Sequence, residues 1–261
     1  MSQIVRLQDR TDRGPSGRLW QGCPWEALVS LNNPDRGWAK GDDFISGDAG
    51  AYTLTVIGSG SAALAMSSAH DGVLVANTGA TTTDKGFNLN PGSATAAFVT
   101  PSASRTIWLE TLIKLTTIST APASFFGLAT QALGLGTDGL VSGTNYIGFL
   151  STATNTVKFA YLETGDTEYL SSALTVKTTT AYTTAEWVKL GFRIEGLRAV
   201  VPYINGVEQT PIVATDARSL PFDVMNVDWS VICKGTVQPV LSIDWWRCAC
   251  LENTTATVAI A

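Results

Sequence analysis

In residues 186–209, EWVKLGFRIEGLRAVVPYINGVEQ, Val188, Leu190, Phe192 and Ile194 alternate with Lys189, Gly191, Arg193 and Glu195. A period of two places the first set on one face of a strand and the second on the other, which is the pattern of a half-buried strand. Glu195-Gly196 interrupts the run and a second apolar stretch follows. Asn205-Gly206 then supplies the two positive φ angles that a tight hairpin turn requires. Chain written this way is committed to antiparallel sheets.

The same pattern recurs from Asp43 onward. AYTLTVIG alternates cleanly, GVLVANTG leads into the TTTDKGFNLNPG loop, and Ile107, Leu109, Thr111 and Ile113 share a face in one long strand. SFFGLATQAL reads either as a strand or as a helical turn. NYIGFLSTATNTVKFAYLE reads as a hairpin around Ala153-Thr154-Asn155, and LPFDVMNVDWSVICKG and VQPVLSIDWWRCACLE close the series. About a dozen short strands at regular spacing predict an all-β, antiparallel two-sheet jelly-roll sandwich. Its body spans 44–252, after an extended N-terminal arm over 1–43 and before a tail over 253–261. No internal repeat or linker divides the body. Pro202 has no N–H to donate, so its strand is expected at an edge or bulged there.

Charged residues form 15% of the chain, against roughly 25% in ordinary soluble domains. Hydroxyl and small residues take their place, which fits loop-rich β structure and also a surface covered in an assembly. The net charge of −5 argues against a general nucleic-acid binder, which needs a basic face to displace counterions. The arm differs. Over its residues 1–18, Arg6, Arg10, Arg13 and Arg18 outweigh Asp9 and Asp12, and Trp20, Trp25 and Trp38 lie in the rest of the arm. Disordered tails are poor in aromatics, so the arm is expected to be ordered on its own domain or on a neighbouring chain. Tryptophan and arginine are the residues that most often dominate interfaces, and these seven are the interface candidates.

MSQIVRLQDRTDRG contains no apolar stretch of export-signal length, and no run reaches the roughly 18 apolar residues of a membrane span. Cys23, Cys233, Cys248 and Cys250 are therefore expected to remain thiols in a reducing compartment. Cys248 and Cys250, two apart, share a strand face and lack the spacing of a zinc pair. The sequon at Asn253 has no meaning without secretion.

Trp187 opening a strand, LGFRIEG after it, YINGV at the next turn and VLSIDWWRCA at the close resemble the concanavalin A-like and laminin-G jelly rolls. In those folds the last strand returns to pair near the first. The wider pattern is similar to tailed-phage virion proteins: a short leading arm, a DDF lead-in, Thr/Ala/Gly-rich strands and a DWWR close. The resemblance implies a non-enzymatic virion structural protein of the capsid decoration or cement type, made in the host cytoplasm. Its partners would be the major capsid protein and neighbouring copies of itself, with a trimer favoured, and neither nucleic acid nor membrane. The alternative it leaves open is a carbohydrate- or receptor-binding module of a tail fibre.

Chemistry is sparse. His70, the single histidine, stands beside Asp71, but adjacent residues on a β loop point apart and no G-x-S-x-G occurs. Glycosidases with this kind of jelly roll need two carboxylates across a cleft and usually carry them as E-x-D-x-x-E. That spacing is absent: Glu110 is alone in LETL, and Asp223 and Asp228 are five apart. NVD at 226–228 is only a fragment of a calcium site. The expectation is no catalytic residue, no metal and no cofactor. Of the adjacent Trp245 and Trp246, one must face outward, at a cost of about 1.5–3 kcal/mol if left wet, so it should be covered by the arm, by a sugar or by a subunit.

Overall fold

The computed structural model describes residues 14–25, 36–45, 48–58, 61–67, 72–79, 84–92, 97–116, 123–130, 145–151, 157–174, 186–235 and 237–252. His70, Asp71, Arg6, Arg10 and Arg13 lie outside the described residues, as does the 153–155 turn. The strands are β1 Gly37–Asp42, β2 Tyr52–Ile57, β3 Ala63–Ser67, β4 Val73–Asn77, β5 Lys85–Pro91, β6 Arg105–Thr116, β7 Ala123–Ala129 and β8 Tyr146–Ser151. They continue with β9 Val157–Leu162, β10 Tyr169–Leu170, β11 Val188–Glu195, β12 Ala199–Ile204, β13 Val207–Glu208, β14 Ile212–Val213, β15 Asn226–Cys233 and β16 Val240–Glu252. One 3-10 turn, Ala49–Ala51, precedes β2. Among the described residues no helix is long and apolar enough to cross a membrane.

Two antiparallel sheets result. The first has the order β13-β12-β11-β6-β16-β4-β3, with β14 on β12 and β1 on β16; the second has the order β10-β9-β8-β7-β15-β5-β2. Alternation decides what each face does. Ile107, Leu109 and Ile113 of β6, Leu190, Phe192 and Ile194 of β11, and Trp246, Cys248 and Cys250 of β16 turn inward. They meet Phe87 and Leu89 of β5, Phe126 and Leu128 of β7, Phe149 of β8, Phe159 of β9 and Trp229 of β15. Contact across the gap is direct: Phe159 meets Phe192 edge-on at 5.4 Å and Trp229 meets Trp246 at 6.0 Å. Burying each such side chain stabilises the fold by about 1.5–3 kcal/mol, which is why sequence parity sets the sandwich.

Residues 124–129 of the ambiguous SFFGLATQAL segment belong to strand β7, because Phe126 and Leu128 fit the inner face while Phe125 and Ala129 pack outside; 131–133 lie outside the described residues. β8 and β9 pair as the expected hairpin. Asn205 and Gly206 take φ of 50° and 78°, and join β12 to β13. β12 is flanked on its outer side only by the two-residue strands β13 and β14. Between them the Pro202 carbonyl accepts from Gln209 N at 2.9 Å, so the missing proline N–H falls where the ladder is thin. Cys23, Cys233, Cys248 and Cys250 are free thiols.

Gly37–Asp42, read from the sequence as part of the arm, is an antiparallel strand on β16. The last strand thus pairs with the first, as the resemblance implied. Residues 14–25 form a strap across the outer face of the first sheet, where Leu19 is fully buried against Trp108, Val201, Tyr203 and Ala249. A register shift between Ile243 and Trp245 lets both tryptophans bury: Trp246 is 4% exposed inside and Trp245 is 5% exposed on the opposite face. The cover for Trp245 therefore comes from the chain itself.

Replacing Gly206 with Ala forces a Cβ into the left-handed region, 3.1 Å from Ser16 Oγ. Urea unfolding should show a loss of about 1–2 kcal/mol.

Candidate functional site

β16 is long enough to carry two strands end to end on one side: β4 pairs with Val240–Ile243 and β1 with Trp246–Leu251. Beyond β1 no further strand follows among the described residues, so the sandwich is open along this seam. Trp38, Lys40 and Asp42 stand opposite Cys250, Cys248 and Trp246 and share their inward side. On the second sheet the edge strand β2 brings in Tyr52. Between the two edges lies a hollow of about 510 Å³ whose walls include Trp25, Lys40, Asp42, Tyr52, Phe98 and Trp246.

A hydrogen-bond relay fixes its polar wall. Trp246 Nε1 donates to the Tyr52 hydroxyl at 2.8 Å, and that hydroxyl donates to Asp42 Oδ2 at 2.8 Å. Phe44 N donates to Asp42 Oδ1 at 2.7 Å. Burial, with the neighbouring Asp42 charge adding to it, pushes the Tyr52 phenol well up, so it stays a donor. Phe44 holds a φ of 56° at 1% exposure, an outlier for a bulky residue. Such strain persists only where surroundings over-determine it; here the Asp42 bond and the packing of Phe44 on Tyr52 at 5.4 Å do so. The apolar wall is a ring ladder: Phe98 meets Trp38 edge-on at 5.2 Å, and Lys40 Nζ sits 4.0 Å from the Phe98 centroid. A fixed carboxylate facing aromatic rings suits a ligand with hydroxyl donors on an apolar frame. Asp42 is the single carboxylate among the described lining residues.

The strap supplies the remaining wall, Trp25, and is itself pinned by Glu110. This β6 carboxylate is 1% exposed on the outer face of the sheet. It accepts from Ser16 N at 3.0 Å, from Ser16 Oγ, and from Trp20 Nε1 at 2.7 Å. Burial raises its pKa despite those donors and the Lys189 charge, which pull the other way. Opposite Glu110 on β11 is Gly191. A Cβ there would come within 2.5 Å of Leu19 Cδ2 and 2.9 Å of Glu110 Cγ, so only glycine lets the strap lie this close.

The sequence-predicted interface residues are divided by the fold. Trp20, Trp25 and Trp38 are half-buried and packed on their own chain, while Arg18 is exposed. No local pattern in the sequence groups Asp42, Tyr52 and Phe98. The DDF lead-in marked Asp42, but nothing in sequence spacing brings residue 98 to it.

No protein-family model matches the chain, and no curated protein matches it. Solved structures do. A protein of unknown function from Shewanella oneidensis MR-1 superposes with a TM-score of 0.53 at 17% identity, covering 85% of this chain and 90% of that one. A glycoside hydrolase family 16 endo-glucanase from Bacteroides ovatus gives 0.52 at 10% identity, covering 80% and 99%. Peanut lectin gives 0.50 at 11%, covering 82% and 97%. The fold is the concanavalin A-like jelly roll. One of these neighbours is a hydrolase and another a lectin, so the architecture leaves function to the site. The likeness to virion proteins rests on the sequence pattern alone.

Elsewhere in the jelly roll, the outer face of the seven-stranded sheet holds a buried polar row. Asp228, fully buried, accepts from Asn90 Nδ2 at 2.9 Å and from Ser230 Oγ. Asp223, five residues earlier, is not on the strand at all: it is exposed, and Asn145 Nδ2 donates to it at 2.5 Å and to Glu163 at 3.3 Å. Burial, then the nearby Asp223 and Asp166 charges, raises Glu163. Phe222 N donates to that same carboxylate, so the pair ties two loops together. No group of three metal-ligating side chains occurs among the described residues.

Burial lifts the Asp228 carboxyl to about 7 against the hydrogen bonds from Ser230, Asn90 and Asn88. A carboxyl raised in the folded state binds more protons there than in the unfolded chain, whose value is near 4. Stability from this group is therefore full below about pH 4 and is lost as pH rises to about 7. Asp228→Asn should flatten that part of a stability-against-pH curve measured by denaturant unfolding.

Proposed function

We propose that the chain is a non-enzymatic carbohydrate-binding module, borne on a phage particle as the sequence resemblance implies. The observation that carries the binding reading is the seam hollow: a pre-ordered carboxylate facing aromatic rings, with no second carboxylate among the described lining residues. Each Asp42 oxygen takes one donor from the protein and keeps lone-pair capacity for another, so vicinal hydroxyls of a pyranose can donate to both. The C–H faces of the sugar lie against Phe98 and Trp25. General acid-base hydrolysis needs two carboxyl groups; Asp42 is the one carboxylate among the described lining residues, which supports holding the ligand without cleaving it. A lectin and an endo-glucanase among the structural neighbours support saccharide as the ligand class.

A second reading is a capsid decoration or cement protein that contacts the major capsid protein and copies of itself. Its support is the arginine content of the leader and the exposure of Arg18. The tryptophans of residues 14–38 are engaged within the chain, which weighs toward the saccharide reading.

The two readings separate in one set of measurements. Methyl glucoside, methyl galactoside and their oligosaccharides are titrated against the pure protein by NMR, and the protein is mixed with purified capsids. The expected result is saccharide binding without hydrolysis. It should weaken about tenfold or more in Asp42→Asn, since a hydrogen bond to a charged group contributes about 1.5–3 kcal/mol. Capsid binding with no saccharide bound would replace this reading with the second one.

A further inference from the structure

We infer that Glu110, on the far face of the first sheet from the core, is the positioning residue of the seam hollow, acting through the strap. The inference rests on the binding role given above to the hollow. Three contacts make the route. Glu110 Oε2 accepts from Trp20 Nε1 at 2.7 Å, and Trp20 meets Trp25 edge-on with centroids 5.3 Å apart. Trp25 then lines the hollow beside Ala39 and Gly41 of β1. Backbone bonds stiffen the strap on both sides of Trp20: its N donates to Ser16 O at 3.1 Å, and Cys23 N donates to Trp20 O at 3.0 Å.

The sheet is shaped to receive this strap. Gly191 leaves room for Leu19 beside Glu110, and the Gly206 turn lies against Ser16. Arg247, opposite Glu110 on β16, reaches the other way, its guanidinium carbon 5.2 Å from the Trp25 centroid. Glu110 and Arg247 thus hold the strap from two neighbouring strands, one at Trp20 and one at Trp25. A carboxylate is suited to the first task because it accepts from the Ser16 N–H, the Ser16 hydroxyl and the indole N–H together. An ordinary apolar residue would bury the strap equally well but would not fix the indole's rotation. Trp25 is placed by contacts to its ring, from Trp20 and from the Arg247 guanidinium, and the first of these depends on where Trp20 stands. Without Glu110 the hollow would keep its Asp42 relay and lose its strap wall.

Cys23, half-buried in the strap with its thiol pushed up to about 12 by burial, reports strap docking without any ligand. The experiment compares wild type with Glu110→Ala, Trp20→Phe and Trp25→Ala. Three quantities are read: the rate of Cys23 reaction with Ellman's reagent, iodide quenching of the Trp25 emission (by difference from Trp25→Phe), and affinity for the methyl glycosides. Glu110→Ala should react at Cys23 at least tenfold faster and quench more at Trp25. Trp20→Phe, which keeps an aromatic ring but loses the indole N–H and the second ring, should shift both readouts in the same direction by less. Glycoside affinity should fall about as far in Glu110→Ala as in Trp25→Ala, and the double variant should bind no worse than either single one. Unchanged Cys23 and Trp25 readouts in Glu110→Ala would overturn the inference, and so would additive losses of affinity. Absence of glycoside binding by the wild type would overturn the saccharide reading, while the Cys23 and Trp25 readouts would still decide whether Glu110 places Trp25.

Discussion

Everything in this molecule depends on the contact between the two inner sheet faces. Phe149, Phe159 and Phe192 meet where β8 and β9 face β11, and Phe126, Trp229 and Trp246 meet where β7 and β15 face β16. Because rings from both sheets interdigitate, neither sheet can slide by one residue without turning its apolar set to the other face. The outer features follow from that fixed register. Glu110 faces out because Leu109 faces in, and Asp228 faces out because Val227 and Trp229 face in.

A sandwich has to end somewhere, and its ends are where polar backbone and apolar interior meet water together. At the edges formed by β10, β13 and β14 the problem is small because these strands are two residues long. At the seam between β1 and β2 it is solved by aromatic residues with polar tips. Trp246 and Tyr52 bury their rings while passing a hydrogen bond outward to Asp42. Tyrosine and tryptophan suit a boundary of this kind, apolar at one end and polar at the other. The result is a rigid carboxylate at the mouth of an apolar cleft, which is why the seam and not the buried polar row of the second sheet is the place for a ligand. Asp228 is fully buried and out of reach of solvent.

The strap adds a second layer to the same economy of faces. Trp108, Val201, Tyr203 and Ala249 make an apolar patch on the outer side of the first sheet, and uncovered it would be an aggregation hazard. Leu19 fills it, and Glu110 converts a loose apolar cover into a fixed one through three donors. The tryptophans that read in sequence as interface anchors are thereby used inside the chain, two in the strap and one, Trp38, on the inner side of β1. The arginine-rich residues that precede the strap keep their sequence-level case as contacts to a partner.

The amino-acid sequence alone specifies the strand class, the inward parity of β6, β11 and β16, and the Asn205-Gly206 turn. Each of these is written locally, in a period of two or in a dipeptide whose φ angles few other residues adopt. It also showed that no acidic triplet of the glycosidase kind is present. Tertiary structure alone decided the rest. Gly37–Asp42 has too little alternation to declare itself a strand, and becomes one because the second half of β16 offers a free edge. The hollow draws on residues 25, 42, 52, 98 and 246, which no spacing rule connects, since sheet order is set by long-range packing and not by neighbours in the chain. Glu110, an isolated acid in an apolar strand, looked like a residue without a partner; its partners lie about ninety residues earlier, and only a folded sheet with a glycine at 191 could bring them within hydrogen-bond reach.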